Sequence, residues 1–130
     1  EAYRTQSRWY STKQSVMLKA EHEKENDLKY DFVLLTRLDC VFGVPIVFED
    51  LNPSEIYASA RIGRPDIDHA LHDFWFIANS EVMDQFGALY DNITDYCIRP
   101  TFACREHIKA INQEENLRAY LEHGSHYRKA

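Results

Sequence analysis

The 130-residue sequence has few cysteines and no apolar run long enough to cross a membrane. Its three cysteines, Cys40, Cys97 and Cys104, are an odd number without a Cys-x-x-Cys pair, which disfavours a disulfide framework or a zinc site. Residues 1–14 lack the apolar segment of a signal peptide. We therefore expect free thiols, no membrane span and a cytoplasmic protein.

Clusters of basic residues, internal repeats and low-complexity linkers are also missing. The formal charge is −6 and the 15 Lys and Arg residues are spread along the chain, which disfavours nonspecific binding to nucleic acid or to anionic membranes. No shift in composition divides the chain, so we predict one domain over residues 1–130. It begins without Met and on polar residues that lead into a helix, so we expect a fragment of a longer protein, with self-association left open.

Capping signals and apolar spacing predict two main helices. Ser11-Thr12-Lys13-Gln14 has the form of a capping box and predicts a helix over residues 12–26. Asn79 or Ser80 can cap a second helix over residues 80–93, where apolar side chains recur every three or four positions. Shorter helices are expected at 105–111 and 114–123, and strands at 31–36, 46–48, 56–59 and 73–78.

The strand over residues 31–36 indicates the fold class. Residues 32–35 are an uninterrupted apolar run, which is typical of a strand covered on both faces in a parallel sheet. The helix over 12–26 has a narrow apolar stripe and is expected to pack on the outside of that sheet. We predict an α/β fold with a mixed, mainly parallel sheet flanked by helices.

Arg37 and Asp39 follow this strand directly. In open α/β sheets, ligands bind at the carboxyl ends of the strands. If the chain stays extended, positions 37 and 39 project from the same face. Two interpretations remain open: a site for an anionic ligand with a cation, or an ion pair that closes the strand.

Two segments resemble nucleotide-sugar-dependent glycosyltransferases of the GT-A type found in surface-polysaccharide and viral gene sets. The first contains "YDFVLLTRLD", a strand that ends in an Arg-x-Asp motif, and the second is "HDFWFIANSEVMDQFGALYDNI", a strand that leads into a helix. The resemblance covers roughly residues 6–95. It implies the second half of a GT-A domain, without the nucleotide-binding units that normally precede it.

The resemblance also implies roles for particular residues. Asp39 corresponds to the carboxylate that holds Mn²⁺ or Mg²⁺ on the donor diphosphate, and Arg37 replaces the first aspartate of the family's DxD motif, where it can contact phosphate itself. Asp73 is the candidate general base on the acceptor side, or else an exposed strand-flanking residue. Arg61 and Arg64 are candidate donor contacts in a loop, or else part of a solvated connection. His107 is a weaker candidate metal ligand.

Three functional hypotheses remain. The first is a glycosyltransferase that moves a sugar from a nucleotide-sugar donor to a hydroxyl of a glycan acceptor. The second is a truncated or non-catalytic relative that binds a sugar or a partner. The third is an α/β module whose missing half comes from another chain, since aromatic residues such as Trp9 and Trp75 would suit an open apolar face.

Overall fold

The computed structural model describes residues 2–60, 71–93, 104, 106–108, 110 and 111. A long helix comes first, then two short strands, a longer strand and two short helices. The elements are α1 (Ala2–Asn26), β1 (Val33–Thr36), a 3-10 helix (Phe48–Asp50), β2 (Tyr57–Ala60), β3 (Leu71–Ala78), α2 (Ser80–Gly87) and α3 (Leu89–Asn92).

The sheet has three strands in the order β1-β3-β2, and β3 is antiparallel to both of its neighbours. The predicted mainly parallel sheet is therefore wrong. The apolar run over residues 32–35 indicated a strand, but it does not specify strand direction, and β1 lies at an edge of the sheet. Its side chains alternate between half-buried and exposed, as expected for a strand packed mainly on one face.

Two apolar cores cover the two faces of the sheet. We call the first the helix-side core, because α1, α2 and α3 supply half of its buried residues, which pack around Phe76 of β3. The second, the loop-side core, lies on the other face, where Phe42 packs against Trp75 and Ile46 packs against the same buried cluster. The buried members of the helix-side core are Trp9, Val16, Ile56, Ala58, Phe76, Ala78, Val82, Met83, Phe86, Leu89, Cys104 and Ile108. Those of the loop-side core are Leu51, Tyr57, Trp75 and Ile77.

Helix α1 starts at Ala2, ten residues before the predicted start at residue 12. Ser11 is an internal helical residue, and its hydroxyl donates to the Ser7 carbonyl oxygen at 3.0 Å instead of capping. The predicted end at Asn26 is confirmed. Asp27 follows in the left-handed region with φ 50°, and the Leu28 amide donates to the Glu23 carbonyl oxygen at 3.1 Å, which closes the helix as a Schellman motif.

The second predicted helix is divided in two. Asn79 caps α2 through a 2.7 Å hydrogen bond from the Val82 amide, which confirms the predicted start. The helix breaks at Ala88 and α3 follows. A Cβ atom at Gly87 would lie 2.9 Å from Val16 Cγ1, so α1 and α2 approach each other closely at this glycine.

The remaining predictions had mixed outcomes. Strands near 56–59 and 73–78 are present, whereas the strand predicted at 46–48 is wrong, because this segment leads into the 3-10 helix. Cys40 and Cys104 are free, as predicted, and Cys97 lies outside the described residues. In the part of the chain that the structure describes, no helix combines the length and apolarity needed to span a membrane.

Candidate functional site

The chain turns sharply at the end of β1, where the Arg-x-Asp motif lies. The Arg37 amide donates to the Phe74 carbonyl oxygen at 3.0 Å, which extends the pairing between β1 and β3 by one residue. The Cys40 amide then donates back to the Arg37 carbonyl oxygen at 3.2 Å, and its thiol lies 3.4 Å from the Phe74 carbonyl oxygen. The extended conformation therefore does not persist through Asp39, and we call residues 37–40 the β1 turn.

Arg37 and Asp39 form a two-pronged ion pair within the β1 turn. Arg37 Nε donates to Asp39 Oδ1 at 2.9 Å, and Nη2 donates to Oδ2 at 2.5 Å. The guanidinium carbon lies 5.2 Å from the centre of the Phe74 ring, a cation–π distance. The hydrogen bonds from Arg37 hold the pKa of Asp39 below its ordinary value. The ion-pair interpretation is thus realised in the structure, in a solvent-accessible position.

The sheet brings part of the predicted site together. Thr36 at the end of β1 pairs with Trp75, so the backbone of Asp73 in β3 lies close to the β1 turn. The Asp73 side chain lies outside what the structure describes. Arg61 and Arg64, which lie between β2 and β3 in the chain, are also outside the described residues. Since β1 and β2 both run opposite to β3, their carboxyl ends lie at the same end of the sheet.

The described residues do not form a resident metal site by themselves. Both carboxylate oxygens of Asp39 accept hydrogen bonds from Arg37, and no cluster of three or more His, Cys, Asp or Glu side chains with the geometry for a metal lies within the described residues. A cation at the β1 turn would need further oxygen ligands, such as those of a bound phosphate.

His107, the weaker candidate metal ligand, is buried, and one of its ring nitrogens is bound to the main chain. It is 5% exposed, and its Nε2 lies 2.7 Å from the Gln85 carbonyl oxygen. Because a carbonyl can only accept, Nε2 carries the proton in this contact. Burial lowers the pKa of His107, which keeps the ring neutral beside Phe86.

Sequence reasoning did not identify two further features near the site. The Phe74 ring lies against the Arg37 guanidinium. This contact depends on the register between two strands that are far apart in the chain, and local sequence patterns do not indicate that register. Leu38 is completely exposed, and Val41 beside it is 83% exposed. The β1 turn therefore combines a charged pair with an apolar surface.

An open depression of about 480 Å³ lies at the opposite end of the sheet. It is bordered by the start of α2 and by the residues that lead into β1, and the Lys29–Glu81 ion pair at 2.5 Å lies on its rim. Near this depression, the Lys19 ammonium forms ion pairs with Glu23 at 3.0 Å and with Asp84 at 2.7 Å. The Ser80 hydroxyl donates a hydrogen bond to Glu23 at 2.6 Å. We call these four residues the interhelical polar cluster, since they join α1 to α2.

Comparison of the chain with protein-family models, with curated proteins and with solved structures gives no match.

Proposed function

We propose that this chain is part of a glycosyltransferase that moves a sugar from a nucleotide-sugar donor to a hydroxyl of a glycan acceptor, with the donor diphosphate at the β1 turn. The observation that carries the proposal is the contact between the two glycosyltransferase-like segments. The Arg37 amide of the first segment bonds to the Phe74 carbonyl of the second at 3.0 Å. Residues far apart in the sequence thus adjoin, as a shared site requires.

Arg37 is the proposed phosphate contact. A guanidinium binds phosphate oxygens through two parallel hydrogen bonds, the same geometry that it has with Asp39. An exposed ion pair contributes little to stability, so a diphosphate can compete with Asp39 for the guanidinium at small cost. The backbone bond to Phe74 keeps the main chain of Arg37 in place during this exchange.

The exchange would release Asp39 for a second partner. A carboxylate and phosphate oxygens together are the ligands that Mn²⁺ or Mg²⁺ prefers, and a cation bound to the diphosphate would neutralise the charge of the departing nucleotide. The metal would therefore bind together with the donor, and Asp39 would be its protein ligand.

The other three site residues keep the roles that the resemblance implies. Asp73 is the proposed general base for the acceptor hydroxyl, because its backbone lies at the start of β3 beside the β1 turn. Arg61 and Arg64 are the proposed additional contacts of the donor phosphates. Substitution of each residue separately in a transfer assay tests these assignments.

The first prediction concerns donor binding by the full chain. A panel of nucleotide-diphosphate sugars is titrated with and without Mn²⁺ while amide chemical shifts are followed by NMR. Arg37→Ala should weaken binding about 10- to 100-fold, because a hydrogen bond to a charged group contributes about 1.5–3 kcal/mol. Asp39→Asn should remove the enhancement of binding by Mn²⁺.

Lys29→Ala is the matched control for this experiment. Like Arg37→Ala, it removes the cation of an exposed ion pair, but Lys29 pairs with Glu81 at the opposite end of the sheet. It should leave donor binding unchanged. The proposal is wrong if no donor shifts the amides of residues 37–40, or if Arg37→Ala binds a donor as tightly as the wild type does.

A non-catalytic sugar- or partner-binding module is the second candidate. The exposure of Leu38 and Val41 beside the charged pair favours it, because an apolar surface next to hydrogen-bonding groups suits a binding face. Release of nucleoside diphosphate from a bound donor in the presence of acceptor distinguishes the two candidates. Binding without release supports the module, and acceptor-dependent release supports the enzyme.

A further inference from the structure

The outer edge of β1 presents backbone hydrogen-bonding groups that β3 does not use. Because the Arg37 amide bonds to Phe74, the odd-numbered residues of β1 exchange hydrogen bonds with β3. Leu34 and Thr36 therefore direct their amide and carbonyl groups away from β3. Within the described part of the chain, no strand pairs with this edge.

Except for its short length, this edge lacks the features that usually prevent strands from pairing between molecules. Val33-Leu34-Leu35-Thr36 contains no charge and no proline, and the register with β3 is regular. Apolar surface continues beside it: Leu34 is 37% exposed, and Phe48, which packs on Phe32 at 5.6 Å between ring centres, is 39% exposed. A strand that joined this edge would pair with the outward-facing backbone groups of Leu34 and Thr36.

We propose that two copies of this chain associate by antiparallel pairing of their β1 strands about a twofold axis at Leu34. In such a pair, residues whose amide and carbonyl groups point away from β3 in one copy lie opposite the equivalent residues of the other copy. With Leu34 opposite Leu34, Asp31, at the bend two residues before β1, comes near Arg37 of the other copy, directly after β1, where it can join the ion pair of Arg37 with Asp39. Opposite charges across a strand pair stabilise it, and here the pair occurs twice by symmetry.

Neighbouring registers are less favourable for the same electrostatic reason. With Leu34 opposite Thr36, Arg37 lies opposite Val33 and Asp31 falls beyond the paired residues, so both contacts between Asp31 and Arg37 are lost. With Leu34 opposite Phe32, Asp31 lies opposite Leu35 and gains no partner. The charges that flank β1 therefore select the symmetric register at Leu34. A strand this short buries less than about 1,200 Å², so the dimer is weak and depends on concentration.

Sedimentation of the full chain over a concentration series tests the proposal. The wild type should show a monomer–dimer equilibrium. Leu34→Lys should raise the dimer dissociation constant at least tenfold, because it places two ammonium groups together on the axis. Asp31→Lys should also weaken the dimer. Glu25→Lys makes the same charge change at an exposed position on α1 and should leave the dissociation constant unchanged.

Three results of this experiment would overturn the proposal. The first is a wild type that stays monomeric at the highest concentration reached. The second is a dimer that Leu34→Lys does not weaken, and the third is equal weakening by Asp31→Lys and Glu25→Lys. Circular dichroism of each variant verifies that the fold is retained.

Disulfide trapping tests the register itself. Residues opposite each other in a hydrogen-bonded antiparallel pair have Cα atoms about 5.5 Å apart, within the range that a disulfide spans. Leu34→Cys should therefore form a covalent dimer under mild oxidation. Thr36→Cys, two residues further along the same edge, should not, because Thr36 lies opposite Phe32. The wild type with its three native cysteines serves as the blank. Equal trapping of both variants would contradict the register.

Discussion

The side-chain contacts of Arg37 that the structure describes can change more easily than its backbone contact. The amide is bound to Phe74 as part of the sheet, whereas the guanidinium lies over the Phe74 ring and pairs with Asp39 in contact with solvent. A sheet hydrogen bond persists with the fold, but an exposed ion pair exchanges readily. The Arg37 side chain can therefore exchange Asp39 for another partner while its main chain stays in place.

The second prediction concerns the pKa of Asp39, which NMR titration of its carboxyl carbon measures. Arg37→Ala should raise this pKa toward the ordinary value, because the hydrogen bonds from Arg37 are its main cause of lowering. The ion pair requires ionised Asp39. Its contribution to stability is therefore present above the ordinary Asp pKa and is lost as the pH falls through the lowered one.

A control for this titration is Lys13→Ala, which breaks a comparable ion pair with Asp91 at 2.7 Å. It should not change the titration of Asp39. If Arg37→Ala also left the pKa of Asp39 where it is, the ion pair would not persist in solution, and the preorganised phosphate contact would lose its basis.

At the scale of elements, the packing of α1 on α2 depends on the absence of a side chain at Gly87. The third prediction is that Gly87→Ala lowers the free energy of unfolding by about 1–2 kcal/mol, although Ala normally favours a helix. The reason is the new Cβ atom, which would lie 2.9 Å from Val16 Cγ1. Urea denaturation measures the change.

Val16→Ala supplies the matched background for this prediction. It removes the two γ-methyl groups, which would lie 2.9 and 3.3 Å from the new Cβ atom, but it keeps the Val16 β-carbon, which would lie 3.0 Å away. Gly87→Ala should therefore cost less in a Val16→Ala chain than in the wild type, although a smaller cost remains. An equal loss of stability in both backgrounds would show that the close approach of the helices is not the cause.

The interhelical polar cluster leads to the fourth prediction, a loss of stability in acid. Partial burial alone would raise the pKa of Glu23, but hydrogen bonds from Ser80, the Tyr30 amide and Lys19 outweigh this effect and lower it to about 2. Since the folded pKa lies below the ordinary value of 4.5, the stabilisation is complete above about pH 4.5 and is lost as the pH falls toward 2. We expect about 1–2 kcal/mol, because solvent screens part of the interaction.

Denaturation of wild type and Glu23→Gln between pH 6 and pH 2 measures this contribution. The wild type should be the more stable at pH 6, and the difference should shrink as the pH approaches 2. Glu21→Gln, at an exposed position on the same helix, should show no such convergence. A difference between wild type and Glu23→Gln that is constant over the range would contradict the role of the Glu23 charge.

Local signals in the sequence predicted some of these elements well and others poorly. The Asn79 cap and the end of α1 were readable because each depends on neighbouring residues. Ser11 misled because a capping-box pattern inside a longer helix is indistinguishable from one at its start. The break at Ala88 was not predicted, since the apolar spacing continues through it.

At the scale of the whole molecule, strand direction was the feature that the sequence did not specify. An uninterrupted apolar run indicates that a strand is buried, but the direction of that strand relative to its neighbours depends on which strands pair. The partner of β1 is β3, which starts only at Leu71. The same long-range pairing brings Phe74 to Arg37, so this part of the candidate site was equally unpredictable. The ion pair itself was predictable as an alternative, because it joins residues two positions apart.

The strand order also determines when the sheet can form during synthesis. β3 is the only strand that pairs with β1 and β2 in the described sheet, and it is the last of the three to leave the ribosome. Until Ala78 has emerged, the nascent chain carries two unpaired strands, and contacts between distant residues delay folding. The fifth prediction is that a chain ending at residue 70 shows some helical circular dichroism from α1 but no cooperative thermal transition. A cooperative transition in that truncated chain would mean that β1 and β2 find other partners first, and that the mature order arises by rearrangement.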